Sequence, residues 1–186
     1  MKATNIDLSQ RLRNQMKPRP RVRGRYNSSE LWFINNGYTT PEEWLNAPER
    51  KMKSLLLMWN GTGMHNQLEP LLGKEHCEEK KEIIYKDIVL VGKADYQPPE
   101  EQNDVWEFKT SARKLKSAKP WHMHQTKLYT SMFNKKRGLI YQPSKDKDSL
   151  YLRLLGITER DDKWFETELE KLYIFHKKVE KLWELK

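Results

Sequence analysis

Asp95, Glu107 and Lys109 are the residues of this chain whose types and spacing suit chemistry best: two carboxylates and an amine, the last two in Glu107-Phe108-Lys109 at the end of an apolar run. Residues two apart on a strand leave the same face, so Glu107 and Lys109 project together if the run is a strand. Asp95, in Gly92-Lys93-Ala94-Asp95, joins them if the strand before it lies alongside. Such a group suits phosphodiester hydrolysis. The reaction needs a positioned water, relief of charge on the phosphate and help for the departing oxygen, which Mg2+ or Mn2+ held by carboxylates with open coordination positions supplies. Asp95 and Glu107 are then the oxygen ligands, with the Phe108 backbone carbonyl as a third. Lys109 is suited to orient the attacking water or to stabilise the developing anion. Taken alone, Glu-x-Lys is also how a half-buried strand with a solvated outer face reads.

Three short β-rich segments must position these groups: Ile83-Ile84-Tyr85, Ile88-Val89-Leu90-Val91 and Val105-Trp106-Glu107-Phe108. Turn-prone Lys86-Asp87 and a loop over 98–104 separate them, which predicts a meander of three antiparallel strands. A helix over 121–135 and strands at 138–141 and 150–155 follow, giving an α/β sandwich around one central mixed sheet flanked by helices.

Ahead of the sheet, Thr40-Pro41-Glu42-Glu43 is a capping box that opens a helix through Trp44. A second helix is expected after Pro48, burying Met52, Leu55, Leu56 and Trp59. Gly61-Thr62-Gly63 should break or bend the path before a short helix carrying His65, Leu68 and Glu69, ended by Pro70 and Gly73. From about Asp161, the residues Phe165, Leu169, Leu172, Val179 and Leu182 share one face of a long charged helix. A packing role comes first for it. A partner or oligomer contact comes second, because one short stripe is not a sustained coiled coil.

The order His65, Asp95, Glu107-x-Lys109, Gln125-x-x-x-Tyr129, with His65 set in Gly63-Met64-His65-Asn66-Gln67-Leu68-Glu69, resembles the RecB-type branch of the PD-(D/E)xK nuclease superfamily over about residues 55 to 157. The resemblance implies a restriction-endonuclease-like core. It also implies that His65 helps hold the metal, that Gln125 supports the site and that Tyr129 contacts substrate or braces Lys109. The implied activity is a metal-dependent DNA exonuclease working on ends or single strands in replication, repair or recombination. A structure-specific endonuclease, and a DNA-binding or replication-complex module that keeps the fold without cutting, are the alternatives. On residue chemistry alone, a lone histidine on a short helix is more often structural. A core glutamine at Gln125 would read the same, and Glu69 is either a supporting acid or a plain helix-face acid.

Ser111, Arg113, Lys114, Lys116 and Lys119 lie on a small-residue loop leading out of the motif and suit a phosphate backbone. Trp121, His122 and His124 follow and suit stacking on a splayed base, although a solvated linker would look alike.

At 186 residues, one domain with decorations is expected. Residues 1–25, rich in arginine and proline, read as a mobile basic arm. Residues 26–186 read as a single nuclease domain with a helical part at 26–75, a catalytic core at 76–157 and a C-terminal helix at 158–186. The net charge of +9 favours a polyanion such as DNA as partner. Cys77 is the single cysteine, so a cluster built from four cysteines of one chain is excluded. Within the resemblance this marks a member without an iron–sulfur cluster and makes spacer acquisition a less expected role. No apolar run is long enough to cross a bilayer, and no signal-peptide segment is evident. The expected location is intracellular, cytoplasmic or nucleoid-associated, with a virus-encoded origin among the options.

Overall fold

β3 (Ile88–Lys93) is the strand on which the first half of the chain assembles. Its residues alternate inward and outward, and Ile88 and Leu90 are fully buried. Each such side chain contributes about 1.5–3 kcal/mol of apolar burial. β2 (Lys80–Tyr85) pairs antiparallel to it through a two-residue turn in which Lys86 adopts a φ of 53°. On the other side β1 (Arg25–Asn27) pairs parallel, with Tyr26 opposite Leu90. The computed structural model describes residues 9–16, 20–46, 52–99, 103–111, 113–145 and 148–185. Lys17, Arg19 and Pro48 therefore lie outside the described residues, as does Ala112 of the basic loop.

A second sheet holds β4 (Asp104–Phe108), β5 (Arg137–Lys145) and β6 (Leu150–Glu159), with β4 and β5 parallel and β5 and β6 antiparallel. Helix α5 (Pro120–Met132) is the crossover between β4 and β5 that parallel pairing requires. This corrects the expected meander. β4 follows β3 in sequence but joins β5, and the two sheets meet through single bridges from Tyr96 to Trp106 and to Cys77. The one central sheet is thus two mixed three-stranded sheets flanked by helices. Arg137 holds the second sheet in register by donating twice to the buried Asp104, at 2.8 and 2.9 Å, across the pair that opens the parallel ladder.

The remaining helices are α1 (Ser9–Gln15), α2 (Ser28–Asn35), α3 (Pro41–Leu45), α4 (Met52–Leu72) and α6 (Asp162–Trp183). α3 carries the expected capping box, with reciprocal bonds of 3.1 and 2.9 Å between Thr40 and Glu43. α4 runs unbroken for 21 residues through Gly61, Gly63 and Pro70, so the predicted break at the glycines does not occur. Each interior glycine costs about 1 kcal/mol relative to alanine. Gly61 has a reason to be there, because a Cβ at that position would meet Thr110 Oγ1 at 3.0 Å where the helix crosses the end of β4. The expected buried stripe is also revised: Leu55 is buried, whereas Leu56 and Trp59 face outward.

α6 is capped by Asp161, which accepts from the Trp164 amide at 3.0 Å. It buries Phe165, Leu169, Leu172 and Val179 in the main core, so the stripe considered for a partner is used inside the chain. Of the segment expected to be a basic arm, residues 1–8 and 17–19 lie outside the described residues. Arg21 pairs with Glu30, Arg23 with Glu180 and Arg25 with Glu82, and Arg25 already belongs to β1. Among the described residues no helix is long and apolar enough to cross a membrane.

Candidate active site

β3 ends one step before Ala94, and the chain continues through Asp95 to the Tyr96 bridge that joins the sheets. Gly92 lets α5 settle on this end of β3, since a Cβ there would lie 2.8 Å from Met132 Cε and 3.0 Å from Tyr129 Cε1. The glycine of the Gly-Lys-Ala-Asp motif thus brings the helix that carries Gln125 and Tyr129 down beside Asp95.

Asp95 is tied to the motif strand by a 2.6 Å hydrogen bond from the Phe108 amide to its Oδ2. Its other oxygen lies 3.4 Å from His65 Nδ1, presented by α4. The His65 ring also meets the Phe108 ring edge-on. Lys109 Nζ sits 2.5 Å from Glu107 Oε1 and 3.1 Å from Gln125 Oε1. Gln125 Nε2 in turn donates to Tyr129 OH at 2.8 Å. His65, Asp95, Glu107, Phe108, Lys109, Gln125 and Tyr129, drawn from separate elements, therefore form one connected cluster. Glu69 lines a small recess with His65, Leu68 and Asp95 and touches the cluster from one side.

Burial raises the pKa of both carboxyls above the ordinary range; the charge of Asp95 raises Glu107 further, while Lys109 pulls both back. Burial lowers that of His65, which leaves a neutral ring with a lone pair to offer. Glu107 Oε2 is buried without a hydrogen-bond partner. Two crowded carboxyls, a neutral imidazole and an orphaned oxygen are the donor types a hard divalent cation takes, although among the described residues His65, Asp95 and Glu107 do not bring one ligand atom each within 4.8 Å of one another. A different His and carboxylate grouping lies at the β2–β3 turn and α6, where Asp87, His176 and Glu180 bring ligand atoms within 4.8 Å of one another. There Lys177 bridges the two carboxylates and Arg23 also pairs with Glu180, so the group is neutralised by its own cations.

The basic loop leaves the cluster with Ser111, Arg113, Lys114, Lys116 and Lys119 at its surface. It is pinned from beneath. Gln142 accepts from the Leu115 amide and donates to the Arg113 carbonyl, each at 3.0 Å, and Arg153 donates to the Leu115 carbonyl and to Gln142. Sequence reasoning missed Gln142 and Arg153. The one available signal is a glutamine in an apolar strand run.

The three aromatic positions beyond the loop diverge. His122 is half-buried on the face shared with Gln125, accepts from the Lys119 amide at 3.4 Å, and is pushed down to about 4 by burial, with Lys109 and Lys119 adding to it. Trp121 packs against Trp32 and Phe33 with centroids 5.7 and 6.1 Å apart, and Lys119 lies over its ring. His124 points into the fold, 2.8 Å from the buried Glu168, with Trp164 against its ring.

The fold is shared with solved structures, exonucleases among them. Similar structures include SSO0001 (TM-score 0.61, 15% identity, covering 90% of this chain and 84% of that one). Another is an alkaline exonuclease from Laribacter hongkongensis (0.57, 13%, 88% and 91%). A third is a phage-related exonuclease from Haemophilus somnus 129PT (0.55, 12%, 88% and 96%). No family model matches the chain, and no curated protein matches it by sequence.

Proposed function

We propose that this chain is a Mg2+- or Mn2+-dependent deoxyribonuclease of the PD-(D/E)xK type, acting as an exonuclease on DNA ends or single strands in replication, repair or recombination. The observation that carries the reading is the Asp95–Glu107–Lys109 group, with both carboxyls crowded in a buried corner and Glu107 Oε2 left unpartnered. Two of the similar structures are exonucleases, and the Laribacter enzyme has also been solved with dAMP, a mononucleotide of the kind an exonuclease releases.

In this reading His65, Asp95, Glu107 and the Phe108 carbonyl hold the cation. When bound, it supplies charge relief at the phosphate and a more acidic water. Lys109, fixed between Glu107 and Gln125, holds the attacking water in line and keeps positive charge beside the forming anion. The Asp95 to Phe108 bond keeps the first carboxylate in step with the strand that carries the second. Arg113, Lys114, Lys116 and Lys119 grip the backbone from a loop whose base Gln142 and Arg153 hold still.

The test is digestion of DNA and RNA of the same sequence by the purified protein with Mg2+, Mn2+ or EDTA. Metal-dependent loss of DNA alone is expected. Binding without cleavage in every metal would favour the non-cutting module instead.

A further inference from the structure

Ser28 opens α2, yet its hydroxyl does nothing for that helix. The cap position before it, Asn27, makes no side-chain capping bond, and Ser28 Oγ instead donates across 101 residues of sequence to Tyr129 OH at 3.1 Å. Serine at a helix start ordinarily bonds its own first turn, so a serine aimed into the core has a different task. Ser28 and Tyr129 are both buried, at 3% and 2% exposure, so neither has water as a substitute partner.

We propose that Ser28 is a positioning residue for Lys109, acting through Tyr129 and Gln125. The inference rests on Lys109 being the catalytic amine. The tyrosine oxygen receives two donors, Ser28 Oγ and Gln125 Nε2. Gln125 thereby presents its nitrogen to the phenol and its oxygen to Lys109, which it meets at 3.1 Å. With the serine hydroxyl gone, the phenol loses one of the two bonds that hold its oxygen in place, and Gln125, anchored on that oxygen, loses its fixed position. The amide oxygen is then no longer held where the Lys109 ammonium meets it. Lys109 would keep Glu107 as a partner but lose the second bond that fixes its direction. The chain Ser28, Tyr129, Gln125, Lys109 thus makes the start of α2, a segment without motif residues, part of the alignment of the reacting amine.

The experiment compares Ser28→Ala, Ser28→Thr, Tyr129→Phe and the double variant Ser28→Ala/Tyr129→Phe. It follows kcat and KM on single-stranded DNA and the Lys109 Nζ resonance in protein labelled with 15N-lysine, assigned by its loss in Lys109→Arg. Ser28→Ala should lower kcat about three- to tenfold, the effect of one aligned neutral hydrogen bond. KM should stay within about twofold, and the Lys109 signal should shift. Ser28→Thr, which keeps the hydroxyl, should restore both, and the double variant should be no worse than Tyr129→Phe. Wild-type kcat and Lys109 signal in Ser28→Ala, or additive losses in the double variant, would overturn the proposal. If the wild-type protein cuts no DNA, the function reading fails, while the Lys109 signal in Ser28→Ala and Tyr129→Phe still decides the positioning role.

Discussion

Asp95 Oδ2 accepts the Phe108 amide proton at 2.6 Å, so the aspartate that follows the first sheet is fastened to the backbone between the two motif residues of the second. The sheets are otherwise joined by single bridges at Tyr96, which makes this bond the link that sets the two carboxyls at a fixed separation.

Removing the reacting groups should therefore separate chemistry from fold. Lys109→Ala is expected to lower kcat by about 10²- to 10³-fold, the loss seen when one charge-stabilising donor is deleted. Asp95→Asn, which keeps an acceptor for the Phe108 amide, should cost at least as much. Both should bind DNA like the wild type in EDTA. Single-turnover cleavage beside filter binding checks this, and activity retained by either variant would mean the reacting groups lie elsewhere.

The raised carboxyl pKa values make a stability prediction with a definite sign. Without metal, the folded protein holds protons on Asp95 and Glu107 that the unfolded chain has already released. That contribution is complete below the ordinary carboxylate pKa, near 4, and is lost as pH rises toward the value for Glu107, about 8. In EDTA, Tm should fall across this window, and Glu107→Gln should flatten the fall. Mn2+ should raise Tm more at the alkaline end than at the acid end, because binding needs the carboxylates deprotonated. Thermal melts at several pH values decide it, and a flat wild-type profile in EDTA would count against the buried pair.

His124 should behave as a structural residue. Burial acts to raise the Glu168 pKa, but bonds from His124, Asn35 and Lys171 outweigh it and hold the carboxyl down to about 2. This stabilising effect is present above the ordinary glutamate pKa and is lost as pH falls toward that value. His124→Ala should cost about 1–3 kcal/mol of stability near neutral pH while leaving kcat and DNA affinity intact. Urea unfolding and a cleavage assay separate the two, and weakened DNA binding at unchanged stability would return His124 to the substrate surface.

Among the N-terminal arginines, those tied to the body should differ from those on α1. Arg11 and Arg13 are exposed on α1, whereas Arg25 pairs with Glu82 beside the β1–β3 ladder. Replacing Arg11 and Arg13 with alanine should reduce the slope of log affinity against log salt by about 0.9 for each phosphate they neutralise. Arg25→Ala should leave the slope alone. Fluorescence anisotropy across a salt series measures it, and an unchanged slope in the Arg11/Arg13 variant would make α1 a bystander.

The groups proposed to react are legible in the sequence because their placement is local. Glu107 and Lys109 share a strand face by the two-residue period, and Asp95 sits at a strand end marked by glycine and a turn. What could not be read depends on residues distant in sequence. β1 is three residues long and starts at the last residue of the stretch that reads as a basic arm, and it exists because β3 offers a free edge. α4 passes through Gly61 where a Cβ would meet Thr110 Oγ1 at 3.0 Å, a tertiary contact that no local propensity reports. His122 and His124 look alike as residues, but two steps along a helix turn the side chain by roughly 200°. One stays near Lys109 while the other meets Glu168. Ser28, Gln142 and Arg153 act through partners more than ten residues away, and nothing near them in the chain announces it.

Metal-dependent cutting from DNA ends is best tested by incubating the purified protein with end-labelled linear single- and double-stranded DNA and with covalently closed circles, each with Mg2+, Mn2+ or EDTA. Mononucleotides or short fragments should be released from linear DNA in the presence of metal, with closed circles left whole. Linear and circular DNA that both survive in every metal, despite binding, would show that the Asp95–Glu107–Lys109 group does not cut.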